Sequence, residues 1–202
     1  MLFIENIFSV PIYVASISDT AILKVQAELG HVYNDLCDKG KFNYNPKLKT
    51  HMLSDVTFKS NLLTEYDTTV FQNELDFHLL NYMTMIQSGI GVDRPYQYKI
   101  ENSWMTLNPK DSYANIHTHG DSDIAGVYYY KTNGNDGDLM FDTPIKLMKH
   151  SYCFNHYQHT LTHNPQVGQI VLFPGWLEHG TTTNTTNNDR VSLSFNINFI
   201  RG

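Results

Sequence analysis

The sequence predicts a mostly β domain, with its strands in the second half and two bracing helices in the first. Three observations carry this prediction. After Pro95 the apolar period changes from helical to alternating, and short strand candidates recur with turn residues between them. Before it, two long segments place apolar residues at three- and four-residue steps. The chain is also rich in aromatic residues, with 13 Tyr and 11 Phe, which suit a pleated, half-buried surface.

Residues 2–16 are β-branched and aromatic and are expected to open the chain as a strand. Ser18 or Asp19 suits a helix N-cap, and Ile22, Val25, Leu29, Val32 and Leu36 form the stripe of a first helix. Asp38-Lys39-Gly40 should stop it. Residues 41–64 hold Asn-Pro and several Ser, Thr and Lys, and read as loop with short elements. A second helix is expected over 68–87, burying Phe71, Leu75, Leu79, Tyr82 and Ile86 and closed by Ser88-Gly89. Then Tyr98, Ile100, Asn102, Trp104 and Thr106 alternate with their neighbours along one strand. Further strands are expected over 115–119, 124–131, 138–141, 157–162, 169–173 and 190–200. Residues 133–137 and Asn164-Pro165 supply turns, and the Thr/Asn run at 181–188 reads as a surface loop. Such a series implies a sandwich, a jelly roll or a barrel.

The length, 202 residues, suits a single domain over 1–202, with 1–95 largely helical and 96–202 carrying the strands. The net charge of −6, with no run of Lys and Arg, argues against a nucleic-acid partner. No window has the ~20 apolar residues of a membrane helix, and the apolar start lacks the basic residues of a signal peptide. The two cysteines, Cys37 and Cys153, form no C-x-x-C pair, so a disulfide framework is not expected and a cytoplasmic location is. Cys153 is expected to be buried, and Trp104 and Trp176 to serve as core or pocket wall. Nothing in the sequence opposes a homo-oligomer.

Three groups of residues carry chemistry. In Ile116-His117-Thr118-His119-Gly120-Asp121, a strand would project His117 and His119 from one face, as two imidazoles sharing a metal must. Taken alone, an H-x-H pair reads more readily as two surface histidines at a strand end. In Phe173-Pro174-Gly175-Trp176-Leu177-Glu178-His179, an apolar strand runs into a turn with a histidine just past it. Arg190-Val191-Ser192 opens the last strand. Its Val191, Leu193, Phe195, Ile197 and Phe199 share one face, and Arg190, Ser192, Ser194, Asn196 and Asn198 the other. A guanidinium fork with a neighbouring hydroxyl fits a carboxylate, although Arg190 taken alone reads more readily as one half of a surface ion pair.

Together these give H-x-H … H-x10-R-x-S. The pattern resembles the 2-oxoglutarate/iron(II) oxygenase superfamily, whose usual signature is H-x-D/E … H with an Arg about ten residues on. A nearer resemblance is to a group of such oxygenases in marine bacteria and phages. It rests on Ser103-Trp104, His117-Thr118-His119, Ala125-Gly126-Val127-Tyr128-Tyr129, the 173–179 segment and Arg190-Val191-Ser192-Leu193-Ser194-Phe195-Asn196. The likeness covers residues 98–199. Ala125 departs from the group's usual Ser, and His119 stands where the superfamily has a carboxylate.

The resemblance implies a double-stranded β-helix, the cupin-like jelly roll, with the two helices against its larger sheet. It implies iron(II) held by His117, His119 and His179, and 2-oxoglutarate with its far carboxylate on Arg190 and Ser192. The second possible ligand set is His119, Asp121 and His179, which restores H-x-D. The implied reaction hydroxylates a substrate and releases succinate and CO2; the substrate, a small molecule or a peptide side chain, is not legible. Two other classes stay open. One is a three-histidine, cupin-like dioxygenase that works without 2-oxoglutarate. The other is a non-catalytic jelly roll with a binding or structural role.

Overall fold

A computed structural model describes residues 9–44, 50–88, 97–153 and 159–200. The first helix, α1 (Ile22–Asp38), buries Val25, Leu29, Val32 and Leu36, the stripe its sequence spells out. Neither Ser18 nor Asp19 caps it. Ala21 is the N-cap residue and offers no side-chain bond. Ser18 is engaged elsewhere, donating its hydroxyl and its N–H to Glu74 at 2.9 and 3.1 Å. At the other end, Gly40 N–H bonds Cys37 O and Lys41 N–H bonds Leu36 O, with Gly40 at φ +60°. That pair of bonds is the Schellman closure. A short helix, α2 (Leu62–Glu65), precedes α3 (Thr69–Ser88). Glu28 of α1 caps α3, accepting from Val70 and Phe71 N–H at 2.8 and 2.9 Å. A carboxylate at that end meets both the orphan donors and the positive pole of the helix.

The strands form two antiparallel sheets. The larger contains β1 (Tyr13–Ser16), β2 (Asn43–Tyr44), β3 (Met52–Leu53), β4 (Gln97–Asn108), β5 (Ile124–Lys131), β8 (Gln169–Pro174) and β10 (Arg190–Ile200), ordered β1-β8-β5-β10-β4-β3-β2. The smaller contains β6 (Leu139–Asp142), β7 (Thr160–His163) and β9 (His179–Thr181), ordered β7-β6-β9. Three strands of the larger sheet therefore come from the half expected to be largely helical. Residues 2–8 of the expected opening strand, 157–158 of the expected 157–162 strand, and the Gly89 helix stop lie outside the described residues.

Each face of the larger sheet has its own core. Leu172, Leu193, Phe195 and Tyr128 pack with Val25, Leu29, Phe71 and Leu75 of the helices. Phe71 meets Tyr128 edge-on, ring centroids 5.3 Å apart. The other face turns Ala125, Tyr129, Val171 and Phe173 toward Leu139 and Phe141 of the smaller sheet. Two antiparallel sheets facing each other, with helices behind the larger, make the jelly roll that the resemblance implies.

Two sequence expectations need correction. β4 does not keep one alternation. Its register against β10 shifts between Asn196↔Asn102 and Ile197↔Ile100, leaving Glu101 as an extra residue. A bulge reverses the facing of the residues on its far side. Tyr98 and Ile100 accordingly pack toward the helices, with Met105, while Trp104 and Thr106 face the space between the sheets. The 115–119 segment is also no strand. It is extended loop with a single antiparallel bridge, His117 to His179. No helix among the described residues is long and apolar enough to cross a membrane.

The helix-side core is tight where β5 crosses β10. A Cβ on Gly126 would lie 2.1 and 2.3 Å from ring carbons of Phe195 and 2.9 Å from Leu172. Gly126→Ala is therefore expected to cost about 1–3 kcal/mol, the range for overpacking. Urea unfolding should show a lower midpoint at unchanged slope.

Candidate metal centre

His179 opens β9, just past the turn that follows β8. That turn must let another loop pass close by. A Cβ on Gly175 would fall 2.1 Å from Ser122 O, so only glycine admits the 119–123 segment here. Backbone bonds then lock the pieces together. His117 and His179 exchange N–H···O bonds of 2.9 and 3.0 Å, and His119 N–H bonds Gly175 O at 2.8 Å. The three imidazoles are brought together although the loop around His117 is not a strand, because these bonds do the strand's work.

The ligand atoms of His117, His119 and His179 all lie within 4.8 Å of one another. His117 Nδ1 is 2.7 Å from Asn115 O, and His179 Nδ1 is 2.8 Å from Leu177 O. A carbonyl only accepts, so both Nδ1 atoms carry the proton and both Nε2 atoms present lone pairs. His119 Nε2 and His179 Nε2 stand 3.0 Å apart. Two metal–imidazole bonds of about 2.1 Å at roughly a right angle span that distance. The donor set therefore fits a divalent transition metal. Burial, reinforced by His117, pushes His119 down to about 4. Burial also holds His179 well below its ordinary value, with His117 and His119 adding to it. Both rings are neutral near pH 7, as ligands must be.

No carboxylate joins the cluster among the described residues. Asp121 is exposed, one residue past Gly120 at φ +58°. Asp123 accepts from Phe199 N–H at 2.8 Å, and Glu178 pairs with Lys146. Aromatic rings pack around the histidines instead. Trp104 stacks on His119 with centroids 5.8 Å apart, and Phe173 meets His179 edge-on at 4.5 Å.

The cluster borders a cavity of about 820 Å³ whose wall also contains Arg190, Ser192, Asn108, Thr106 and Asn196. Arg190 is 2% exposed, and its Nη1 donates to Gly137 O. Its Nε has no partner, nor has either amide atom of Asn108, its neighbour across the β10–β4 ladder. Burial lowers the pKa of Arg190, while Tyr129, Asp136 and Asp138 oppose that. A buried cation with a free donor is costly unless something pairs with it. An anion entering this cavity would meet Arg190, the Ser192 hydroxyl and the Asn108 amide side by side. His51 lines the same cavity and donates from Nδ1 to Tyr113 O at 3.1 Å. Burial holds it down to about 4, so it too is neutral.

Asn108 escapes sequence reasoning because a strand asparagine carries no distinguishing spacing. The 181–188 tract is more than surface loop. Asn184 within it is fully buried, donating to Asn108 O and Asn188 O and accepting from Thr186. Trp104 is pocket wall as expected; Trp176, 53% exposed, lines a second, more open cleft with Val10 and Ile145, whereas Cys153 is exposed rather than buried. Tyr128 faces the helices and accepts from Gln26, whereas Tyr129 faces the smaller sheet.

Residues 102–196 match the model of a family described as "Putative 2OG-Fe(II) oxygenase". No curated protein matches the chain. Among solved structures, a prolyl-4-hydroxylase from Pseudomonas putida superposes with TM-score 0.61 at 13% identity, over 96% of this chain and 95% of that one. HygX from Streptomyces hygroscopicus, with nickel, 2-oxoglutarate and hygromycin B bound, gives 0.58 at 14%, over 93% and 82%. EctD from S. alaskensis, with 2-oxoglutarate and 5-hydroxyectoine, gives 0.62 at 13%, over 94% and 72%. At these identities the shared property is the fold. Over its site-bearing residues 102–196 the chain is thus similar to the 2OG-Fe(II) oxygenase family, and as a whole it shares the fold of these solved structures.

Proposed function

We propose that the protein is an iron(II)- and 2-oxoglutarate-dependent oxygenase that hydroxylates a small molecule or a peptide side chain. The observation that carries this reading is the pairing, in one cavity, of three convergent imidazoles with a buried arginine whose Nε is unpartnered and which forms no salt bridge among the described residues. When bound, iron(II) would supply the reaction of 2-oxoglutarate with O2, in which decarboxylation gives CO2 and succinate carrying one oxygen atom and the other oxygen atom hydroxylates a substrate C–H bond. His117, His119 and His179 would hold the metal, and three protein ligands would leave it positions for co-substrate and oxygen. Arg190 and Ser192 hold the far carboxylate of 2-oxoglutarate, and Asn108 adds a third donor. Trp104, Phe173 and Leu139 keep water from the buried side of the site. The nearer likeness to the marine bacterial and phage group rests on the same motifs, and the two free cysteines fit a reducing cytoplasm.

One observation favours a second reading. A donor set of three histidines without a carboxylate also suits a cupin-like dioxygenase that needs no 2-oxoglutarate. Turnover separates the two. Iron(II)-loaded protein given 2-oxoglutarate and oxygen should form succinate, above the rate of metal-free protein. No succinate would refute the proposal. A paired substitution tests the ligand set. His117→Ala should abolish iron binding, and Asp121→Ala should leave most of it; the reverse order would make the site the His119, Asp121 and His179 triad.

A further inference from the structure

Phe58 combines two features that rarely coincide. It is a bulky residue in the left-handed region, at φ +56°, and its side chain is 41% exposed. Left-handed backbone is strained for a side chain of this kind. The surroundings hold it there. Asp55 accepts from Thr57 N–H and Thr57 Oγ1–H at 2.8 and 2.6 Å, and from Lys59 and Ser60 N–H at 2.7 Å each. Asn102 Nδ2 donates to Phe58 O at 3.1 Å. Glycine would relieve the strain and asparagine would bear it more easily, but neither offers a ring.

The ring so placed lines the cavity wall. It meets Trp104 edge-on, centroids 5.1 Å apart, and Trp104 in turn stacks on His119. Two aromatic faces thus lead from the outside to the candidate metal. Leu53 and Ile116 also line the cavity, and neutral His51 does too. Among the described residues no Asp, Glu or Lys side chain lines it, and the one Arg among them, Arg190, is committed to the co-substrate in the proposed reading.

We propose that Phe58 and Trp104 form the substrate subsite, and that it takes an uncharged ring or branched aliphatic group. This inference rests on the proposed oxygenase reading for the word substrate, but the binding itself needs neither metal nor co-substrate. An apolar group gains contact with both rings, whereas a charged one would lose its hydration with no counter-charge to meet. Phe58 is a specificity residue here, fixed at the entrance by a preorganised loop.

The test uses the 15N-labelled full chain, following the indole N–H resonance of Trp104, assigned with the help of Trp176→Phe. The probes are the N-acetyl amides of proline, valine and phenylalanine, against those of aspartate and lysine. Titrations run on the metal-free protein and on protein loaded with zinc(II) and 2-oxoglutarate. The uncharged probes should shift the Trp104 resonance saturably in both forms, and the charged ones should not in the loaded form, where 2-oxoglutarate occupies Arg190. Phe58→Asn, which keeps a residue tolerant of that backbone, should weaken binding about tenfold without lowering the thermal midpoint. Equal binding of charged probes to the loaded form, no saturable shift from any uncharged one, or unchanged affinity in Phe58→Asn would each overturn the proposal. Probe binding in a protein whose Trp104 resonance is left unmoved by zinc and 2-oxoglutarate themselves, although that ring stacks on His119, would instead count against the oxygenase reading alone.

Discussion

Replacing His179 with alanine is expected to abolish tight iron(II) binding, lowering affinity by more than about a hundredfold. Loss of a partner that merely orients a ligand costs about 10–100-fold, and His179 is proposed as a ligand itself. Of the three histidines it is the most enclosed, 5% exposed, with its Nδ1–H fixed on Leu177 O and its ring held by Phe173. No neighbouring side chain can take its place, since Glu178 is engaged by Lys146. The backbone bridge to His117 survives the substitution because it uses main-chain atoms. The variant should therefore fold, and its metal content after reconstitution and dialysis reads the ligand loss directly. Full iron occupancy would remove His179 from the ligand set.

Arg190→Met is expected to weaken 2-oxoglutarate binding by about 2–5 kcal/mol, the cost of truncating one member of a buried charge pair. That corresponds to roughly 30-fold to a few thousandfold. The same variant should leave the co-substrate-free protein at least as stable as the parent. In the free protein the guanidinium is buried with Nε unpartnered, and an apolar side chain of similar length spares that cost. The two readouts move in different directions only if Arg190 is held for a ligand. A structural arginine would lose stability when replaced and leave the titration unchanged.

How far the sequence led depended on what kind of information each feature needs. β10 was legible from end to end, because eleven residues alternate without interruption between a helix-facing and a cavity-facing set. The helix stripes were legible for the same reason. β4 was not, because the bulge at Glu101 reverses its facing and appears in the pairing register but not in the composition. The N-cap of α1 was misread because Ser18 bonds Glu74, 56 residues away, and local propensity cannot see that partner. At the site, the histidines were found by spacing and by resemblance, but the reason given for His117 and His119 was a strand that does not form. Main-chain bonds to His179 and Gly175 bring them together instead. Asn108, and Phe58 with its strained backbone, needed coordinates. Their significance lies in orphaned amide atoms and a positive φ, which no residue pattern displays.

In the proposed function one cavity would hold a metal on three histidines, with 2-oxoglutarate between that metal and Arg190. The most direct test of this arrangement is an anaerobic titration of the iron(II)-loaded protein with 2-oxoglutarate, followed by visible absorption. Chelation of the metal by the keto and carboxylate groups should raise a charge-transfer band that saturates with one equivalent, and the band should require far higher concentrations in Arg190→Met. A fully iron-loaded protein that shows no band at any 2-oxoglutarate concentration would contradict the account.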